Sequence, residues 1–559
     1  MTSEVDLSTE QRTGPAGARV PARVPASRPR PGAAPRPGAA PDPGAAPDPR
    51  AAAARARRAR LPDVLVGAVA ALVGLALFSW RVGAPSPSRD EAVTVAVAGR
   101  GAGAIWRLVQ DVDLVHAPFY FLVHVLFGSS VTVEQARWPS VLAAAATAPL
   151  LHGLARRLAL PAVGPGTARA AGVAAAALWL VTPVVSRYAQ EARPYALAAL
   201  VATACTYLLV RAGASARRGW WVAYALGLPL LGALNTLALG VLLAHAGWLL
   251  ASAPAVRRRG AAAAGAGLAL AAPLLLAQST QSGQVAFLLP PSPQQLPEHV
   301  RFALGSGAAV VAAAAAVAAA LLRARARRLL LVGLLWGAAP VPLLWLLSQV
   351  HPLWTTRYLV AAVPGTCLLL ASAVTLALPR ARSPRRAVPV ALPRRAVPAV
   401  LALALVAAVG VPGLRAQAHF RDARAGHLED LRGAAEHLAA EARPGDGLLF
   451  VPDGEYRYRV LTQVYPDAVA GLRDLALARP AEPSATLVGV PVPVERLAAA
   501  LAGVERVWVV GGPGPLVAVT AQDRETVRLL RRGYRLVQQR DLHDYGVKLY
   551  ESTTPSAGA

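Results

Sequence analysis

Between Leu61 and Leu414 the chain is a succession of long apolar runs separated by short polar or arginine-rich breaks. A helix that crosses the hydrocarbon layer needs about 20 mostly apolar residues. Runs approaching that length are Pro62–Val82, Trp138–Ala155, Ala170–Ser186, Pro194–Arg211, Trp220–Leu234, Leu237–Ser252, Ala261–Ala277, Phe302–Leu322, Leu329–Leu347, Tyr358–Leu378 and Val397–Leu414. They predict an all-α polytopic membrane protein with about eleven spans. Ala117–Gly128 is also apolar but short, and its far flank, Ser129–Arg137, lacks a basic cluster, so it reads as a juxtamembrane or re-entrant helix.

The polar breaks set the sides. Arg55 to Arg60, Arg156 and Arg157, Arg217 and Arg218, Arg257 to Arg259, Arg323 to Arg328 and Arg380 to Arg395 fall on one face, which is the cytoplasmic one by the excess of positive charge. An odd number of spans then puts the C-terminal segment outside. Residues 1–60 are Pro, Ala, Gly and Arg without apolar periodicity and predict a disordered cytoplasmic tail. Its apolar run starts too late for a cleavable signal peptide, and Arg55, Arg57, Arg58 and Arg60 are placed to meet anionic lipid.

Past residues 61–414, the composition changes. Over 415–552 charge rises and apolar runs shorten to strand length, which predicts a small extracytoplasmic α/β domain before a flexible tail, 553–559. Its predicted elements are a helix over His427–Arg443, strands at Gly447–Val451 and Arg506–Gly512, a helix over Ala521–Arg532, and one or two strands within Tyr534–Tyr550. Gly511-Gly512-Pro513-Gly514 opens no helix and reads as a turn.

With 55% hydrophobic residues and a mean hydropathy of +0.42, the 559-residue chain falls in the membrane class. Its net charge of +26 would suit a nucleic-acid binder. The arginines lie in the tail and in loops between spans, however, so the charge is topological and no nucleic-acid partner is expected. Cys205 and Cys367 both sit in apolar runs and offer neither a disulfide framework nor zinc spacing.

Chemistry concentrates in the polar stretch Pro85–Tyr120, which holds Asp90, Glu91, Asp111, Asp113 and His116. On the same expected face lie Glu191, Arg193 and Tyr195 in YAQEARPY, and His351, Arg357 and Tyr358 in QVHPLWTTRY. An ionisable group left in hydrocarbon costs about 2.5–3.5 kcal/mol, so such groups converge on water or on each other. A carboxylate can serve as general base, and arginines suit a phosphate. Because neighbours on a helix diverge, one of Asp90 and Glu91 is expected to be the base, Asp90 first. The bland counterparts are a helix start capped at Ser88 with acids in its first turn, an Arg193–Glu191 anchor pair, and Arg357 and His351 as interface anchors. Asp111-Val112-Asp113 admits Mg²⁺ or Mn²⁺. His245 reads as a hydrogen-bonded core histidine, and the proline-rich loop Gln278–Arg301 as a groove cover or a plain connector.

SRDEA at Ser88–Ala92, DVDLVHAPFYFLVHVLFG, EQARWPSVLAA, SRYAQEARPYAL and TTRYLVAAVP, in this order and spacing, resemble the GT-C fold glycosyltransferases. Within that class they are most similar to the bacterial group related to protein mannosyltransferases and aminoarabinose transferases. The resemblance covers about Leu61 to Leu378. It implies transfer of a sugar, mannose being the family's suggestion, from a polyprenyl-phosphate donor to a glycan, lipid or protein acceptor outside the cytoplasmic membrane, usually with inversion. It also implies that the acidic pair, here Asp90 and Glu91, is catalytic. Arg193, Arg357, His116, Tyr195, Tyr358, His351 and Asp113 are then the candidates for donor phosphate and substrate. Where the family commonly has two prolines after the histidine, this chain has His116-Ala117-Pro118. The rival readings are a transporter or flippase of lipid-linked intermediates, which internal repeats would favour, and an inactive scaffold.

Overall fold

The computed structural model describes residues 49–376, 396–453 and 458–553. Most of the expected N-terminal tail and the Arg380–Arg395 cluster lie outside them. The first helix, α1 (Pro49–Ser79), begins before Leu61, within the stretch expected to be disordered. Its first turns are alanine and arginine, both strong helix formers.

After α1 come α2 (Arg89–Ala98), α3 (Ala102–Asp111), α4 (Ala117–Phe127) and α5 (Val133–Ala159). Among the described residues six helices are long and apolar enough to cross a membrane, or eight if each of two bent pairs is one span. The expected count of about eleven is thus supported in part. One bend, of 60°, falls where Pro183 follows Val181 and Thr182, and the other, of 92°, at Gly305, whose φ is +84°. Proline removes a helical hydrogen bond and glycine alone adopts positive φ without strain. Gly219–Leu234 and Thr236–Leu250 are apolar but shorter, as is Leu114–Ser130, which contains the expected juxtamembrane piece.

The bundle has an inside and an outside. Thr356–Thr375 is 89% buried over its apolar window, whereas Leu61–Ser79 is 17% buried. Thr356–Thr375 reaches its central position through backbone contact: a Cβ at Gly337 would lie 2.2 Å from Thr366 N, and one at Gly365 2.5 Å from Gly337 N. Small residues let helices approach this closely.

The C-terminal part contains a five-stranded sheet of order β2-β1-β5-β7-β6, with β1 Gly447–Val451, β2 Arg473–Asp474, β5 Arg506–Gly511, β6 Tyr534–Asp541 and β7 Gly546–Ser552; β3 Leu477–Arg479 and β4 Val490–Pro491 pair separately. β1 runs parallel to β2 and β5, and β7 antiparallel to β5 and β6. Strand alternation gives the sheet two apolar faces. Leu449, Val451, Val507 and Val509 pack with Val527 and Leu530 of the helix Ala521–Gly533. Leu448, Phe450, Trp508, Val510, Val547 and Leu549 share a core with the helix Leu431–Glu441 and with Val93, Val97, Ile105 and Leu108 of α2 and α3. The sheet thus closes directly over the two helices that carry the acidic stretch.

Candidate active site

Ser88-Arg89-Asp90-Glu91 starts α2 as a capping box: Ser88 Oγ accepts from Glu91 N at 3.4 Å, and Glu91 Oε2 accepts from Ser88 N at 3.1 Å. This pins the Glu91 side chain inward. Arg137 of α5 donates to both its oxygens, Nε to Oε1 at 2.7 Å and Nη2 to Oε2 at 3.0 Å. Ala192 N donates to Oε1 at 3.0 Å, and His427 Nδ1 lies 2.6 Å from Oε2. Burial alone would raise the carboxyl's pKa, but Arg137 and His427 hold it well below the usual range. Fully buried and fully bonded, Glu91 has no path to a substrate. This sets Glu91 apart from the other acids of the stretch, which line an open cavity.

Asp90, one residue earlier, faces the opposite situation. Its Oδ1 lies 3.3 Å from Arg193 Nη2, and its Oδ2 accepts from Arg357 Nη1. Burial pushes its pKa up; Arg193 and Arg357, with His116 and Arg89, outweigh this and bring it down to about 2. Asp90 looks into a cavity of about 530 Å³, whose walls also include Asp111, Asp113, His116, Arg193, Tyr195, Arg357 and Tyr358. Of the residues expected at the site, the fold brings these together. His351, expected there as well, is exposed and is not among the lining residues.

Asp113 stands in the left-handed region at φ 61°, a conformation that costs a non-glycine residue free energy. Tyr120 donates its hydroxyl to Asp113 Oδ2 at 2.7 Å, and Arg193 Nη1 reaches the same hydroxyl at 3.4 Å. Burial raises the Asp113 carboxyl, with Arg193 and Tyr120 opposing. His116 is pushed well below its ordinary value by burial and by Arg193, so its imidazole is neutral. Asp111 is exposed, Asp113 is engaged with Tyr120, and among the described residues no group of three or more His, Cys, Asp or Glu surrounds a common point. The Asp111–Asp113 pair does not fit a Mg²⁺ or Mn²⁺ site.

Several participants were not singled out from the sequence. Gln284, Val285 and Phe287, in the loop expected either to cover a groove or merely to connect, form one wall, and Ser484 to Gly489 of the C-terminal part form another. Arg89 ties α2 to the sheet through Glu429 at 3.1 Å and Asp544 at 2.8 Å. A usable signal existed for Glu91, since S-x-x-E before an apolar run spells a capping box; none existed for His427. His245 is hydrogen-bonded to Thr206 and Tyr224, at 3.0 Å each, in the helical core.

Next to this polar cavity lies an apolar groove of about 190 Å³ among Leu237, Val241, Leu243, Trp336, Leu344 and Leu359, with Tyr358 common to both. The opposite end of the bundle is different. There Asp63 is bound by Arg156 at 3.0 Å and Arg169 at 2.9 Å. Because α5 has 27 residues and is about 40 Å long, Arg137 and Arg156 mark its two separate ends.

Fold and site define a multi-pass membrane protein with an acid–arginine cavity at one end of a helix bundle, beside an apolar groove. No family model matches the chain, and no curated protein matches it. Among solved structures it shares the fold of ArnT from Cupriavidus metallidurans in the apo state, with a TM-score of 0.51 and 15% identity over 87% of this chain and 97% of that one. ArnT from Cupriavidus metallidurans bound to undecaprenyl phosphate superposes with a TM-score of 0.48 and 17% identity over the same shares, 87% and 97%. Archaeal oligosaccharyltransferase AglB from Archaeoglobus fulgidus in complex with an inhibitory peptide and a dolichol-phosphate gives a TM-score of 0.45 and 11% identity over 80% of this chain and 69% of that one. The architecture is therefore the GT-C fold that the sequence motifs resemble.

Proposed function

We propose that this protein is a glycosyltransferase that moves a sugar from a polyprenyl-phosphate donor to a hydroxyl-bearing acceptor, with inversion, on the extracytoplasmic side of the membrane. The observation that carries this reading is the meeting of Asp90, Arg193 and Arg357 in a polar cavity that shares Tyr358 with an apolar groove. A lipid phosphate fits that junction: prenyl chain in the groove, phosphate on the arginines. The GT-C fold supports the reading, as does the arginine-rich opposite end, which by the positive-inside rule is cytoplasmic. The N-terminus is then cytoplasmic and the sheet extracytoplasmic.

In the resting site Asp90 is a weak base, because two guanidiniums stabilise its anion. A donor phosphodiester competes for both. Once Arg193 and Arg357 turn to the phosphate, the burial of Asp90 is no longer offset and its proton affinity rises. It then takes the acceptor hydroxyl proton as the oxygen attacks the anomeric carbon. The bond between that carbon and the phosphate oxygen breaks, and the polyprenyl phosphate leaves with one more negative charge, which the two arginines stabilise. Mannose is the sugar suggested by the motif resemblance, and Glu91 holds the start of α2 in place.

Membranes containing the protein, incubated with radiolabelled polyprenyl-phosphate mannose, test this directly. Label should pass to a lipid-extracted acceptor fraction with wild type and not with Asp90→Ala, both variants inserting equally. Undiminished transfer by Asp90→Ala would remove Asp90 from the mechanism.

A further inference from the structure

Two walls of the cavity serve neither the phosphate nor the apolar groove, Gln284 to Phe287 and the segment Ser484 to Gly489, and the second is the one tied to the helix of Asp90. Its shape is built in. Ala485 sits at φ 51° and Gly489 at φ 101°, where a Cβ would come within 2.5 Å of Leu477 Cδ1 and 2.8 Å of Arg479 O. Thr486 Oγ1 accepts from Gly489 N and meets Ser484 Oγ, both at 2.9 Å. These bonds shape the tip but do not fix its height over Asp90.

Arg100 supplies that anchor. Buried at 4% exposure just past the end of α2, it donates from Nη1 to Thr486 O at 2.8 Å and from Nη2 to Leu487 O at 3.1 Å. Nη2 also reaches Gln463 Oε1 at 3.1 Å, and Gln463 Nε2 in turn donates to Leu487 O at 2.9 Å. All three acceptors of Arg100 are neutral. With no carboxylate in hydrogen-bond contact and Glu482 as the nearby negative charge, the guanidinium acts here through its geometry, one planar fork fixing two successive carbonyls. The ten residues of α2 separate Asp90 and Arg100 by about 15 Å of rigid helix. One element therefore holds the carboxylate at its start and the opposing wall just beyond its end.

We propose that Arg100 is a positioning residue for the acceptor, setting the height of the wall Ser484–Gly489 above Asp90 and so the space in which the acceptor hydroxyl meets the donor. This rests on the transferase reading above. The proposed donor contacts, Arg193, Arg357 and Tyr358, make no hydrogen bond to Ser484–Gly489 or Arg100, so a displaced wall disturbs the second substrate and spares the first.

Two measurements on the full-length protein test it. In the membrane assay with labelled polyprenyl-phosphate mannose, Arg100→Gln should lower transfer at saturating donor roughly tenfold to a hundredfold, the range expected of a misplaced positioning group. The donor concentration for half-maximal rate should stay within about twofold, and Arg100→Lys should recover part of the loss. Amide hydrogen exchange of the purified protein should rise over 484–489 in Arg100→Gln and stay at the wild-type level in the first turn of α2. Unchanged exchange over 484–489 overturns the anchor whatever the activity, and a half-maximal donor concentration that rises in step with the loss of transfer overturns the acceptor role. If wild type itself transfers no label, the transferase reading falls, and with it the acceptor role, while the exchange data still decide whether Arg100 holds the wall.

Discussion

Two ion clusters begin at neighbouring residues of one helix and end in opposite conditions. Glu91 is closed in by Arg137, His427 and the Ala192 amide, with both side chains of its Arg137 pair at 0% exposure. Asp90 is held by Arg193 and Arg357 at the wall of an open cavity, with 19% of its side chain exposed. The chemistry of the pairs is the same; what differs is access. A carboxylate bonded on every lone pair in a sealed site holds parts of the fold together. One that shares its arginines with a cavity can exchange them for a phosphate.

The comparison breaks most visibly at Asp90. Asp90→Asn keeps the shape and removes the base, and transfer from the polyprenyl-phosphate sugar should fall by about 10²- to 10⁴-fold, with a modest drop in melting temperature because Arg193 and Arg357 lose their anionic partner. Glu91→Ala should show the reverse pattern. It leaves Arg137 buried without its partner, a defect that costs about 3–5 kcal/mol. Thermal melting should drop sharply, and activity per folded molecule should fall less than in Asp90→Asn; a stable, inactive Glu91→Ala would return Glu91 to the chemistry.

A smaller effect concerns the pH dependence of the open cluster. With its pKa lowered from 3.8 to about 2, Asp90 contributes stability that is fully present above about pH 4 and is lost only as pH falls through 2. Acidifying the donor-free protein from pH 7 to 4 should therefore leave the pairs of Asp90 with Arg193 and Arg357 intact, read as an Asp90 carboxylate that stays ionised in the infrared difference between wild type and Asp90→Asn, while Glu429, raised by burial to about 7, takes up a proton beside Arg89. The smallest effect is expected at His351→Ala. Exposed and outside the cavity lining, this substitution should stay within about 0.5 kcal/mol in stability and leave transfer at the wild-type rate.

Much of the architecture was readable because it depends on neighbours in the chain. The strands Gly447–Val451 and Arg506–Gly511 and the helix Ala521–Gly533 lie within a residue of where apolar pattern and turn residues place them. The helix expected over His427–Arg443 is shorter, Leu431–Glu441, because Asp430 caps it and His427 is drawn to Glu91. The expected runs Ala170–Ser186 and Phe302–Leu322 each fall on a bent pair of helices, because run length registers apolarity but not the bends at Pro183 and Gly305. Arg193 and Arg357 were legible as unusual residues at helix mouths. That they meet the same carboxylate was not.

The chain's own order of residues determined that this is a polytopic membrane protein, that α2 begins at a capped Ser88, and that an acid pair follows the first span. These are properties of apolar length and of contacts three or four residues apart. Only the tertiary structure decided which acid faces the cavity, because Arg357 lies 267 positions from Asp90 and His427 lies 336 from Glu91. Coulomb energy depends on distance in space and on the solvent between the charges, and no local pattern encodes either.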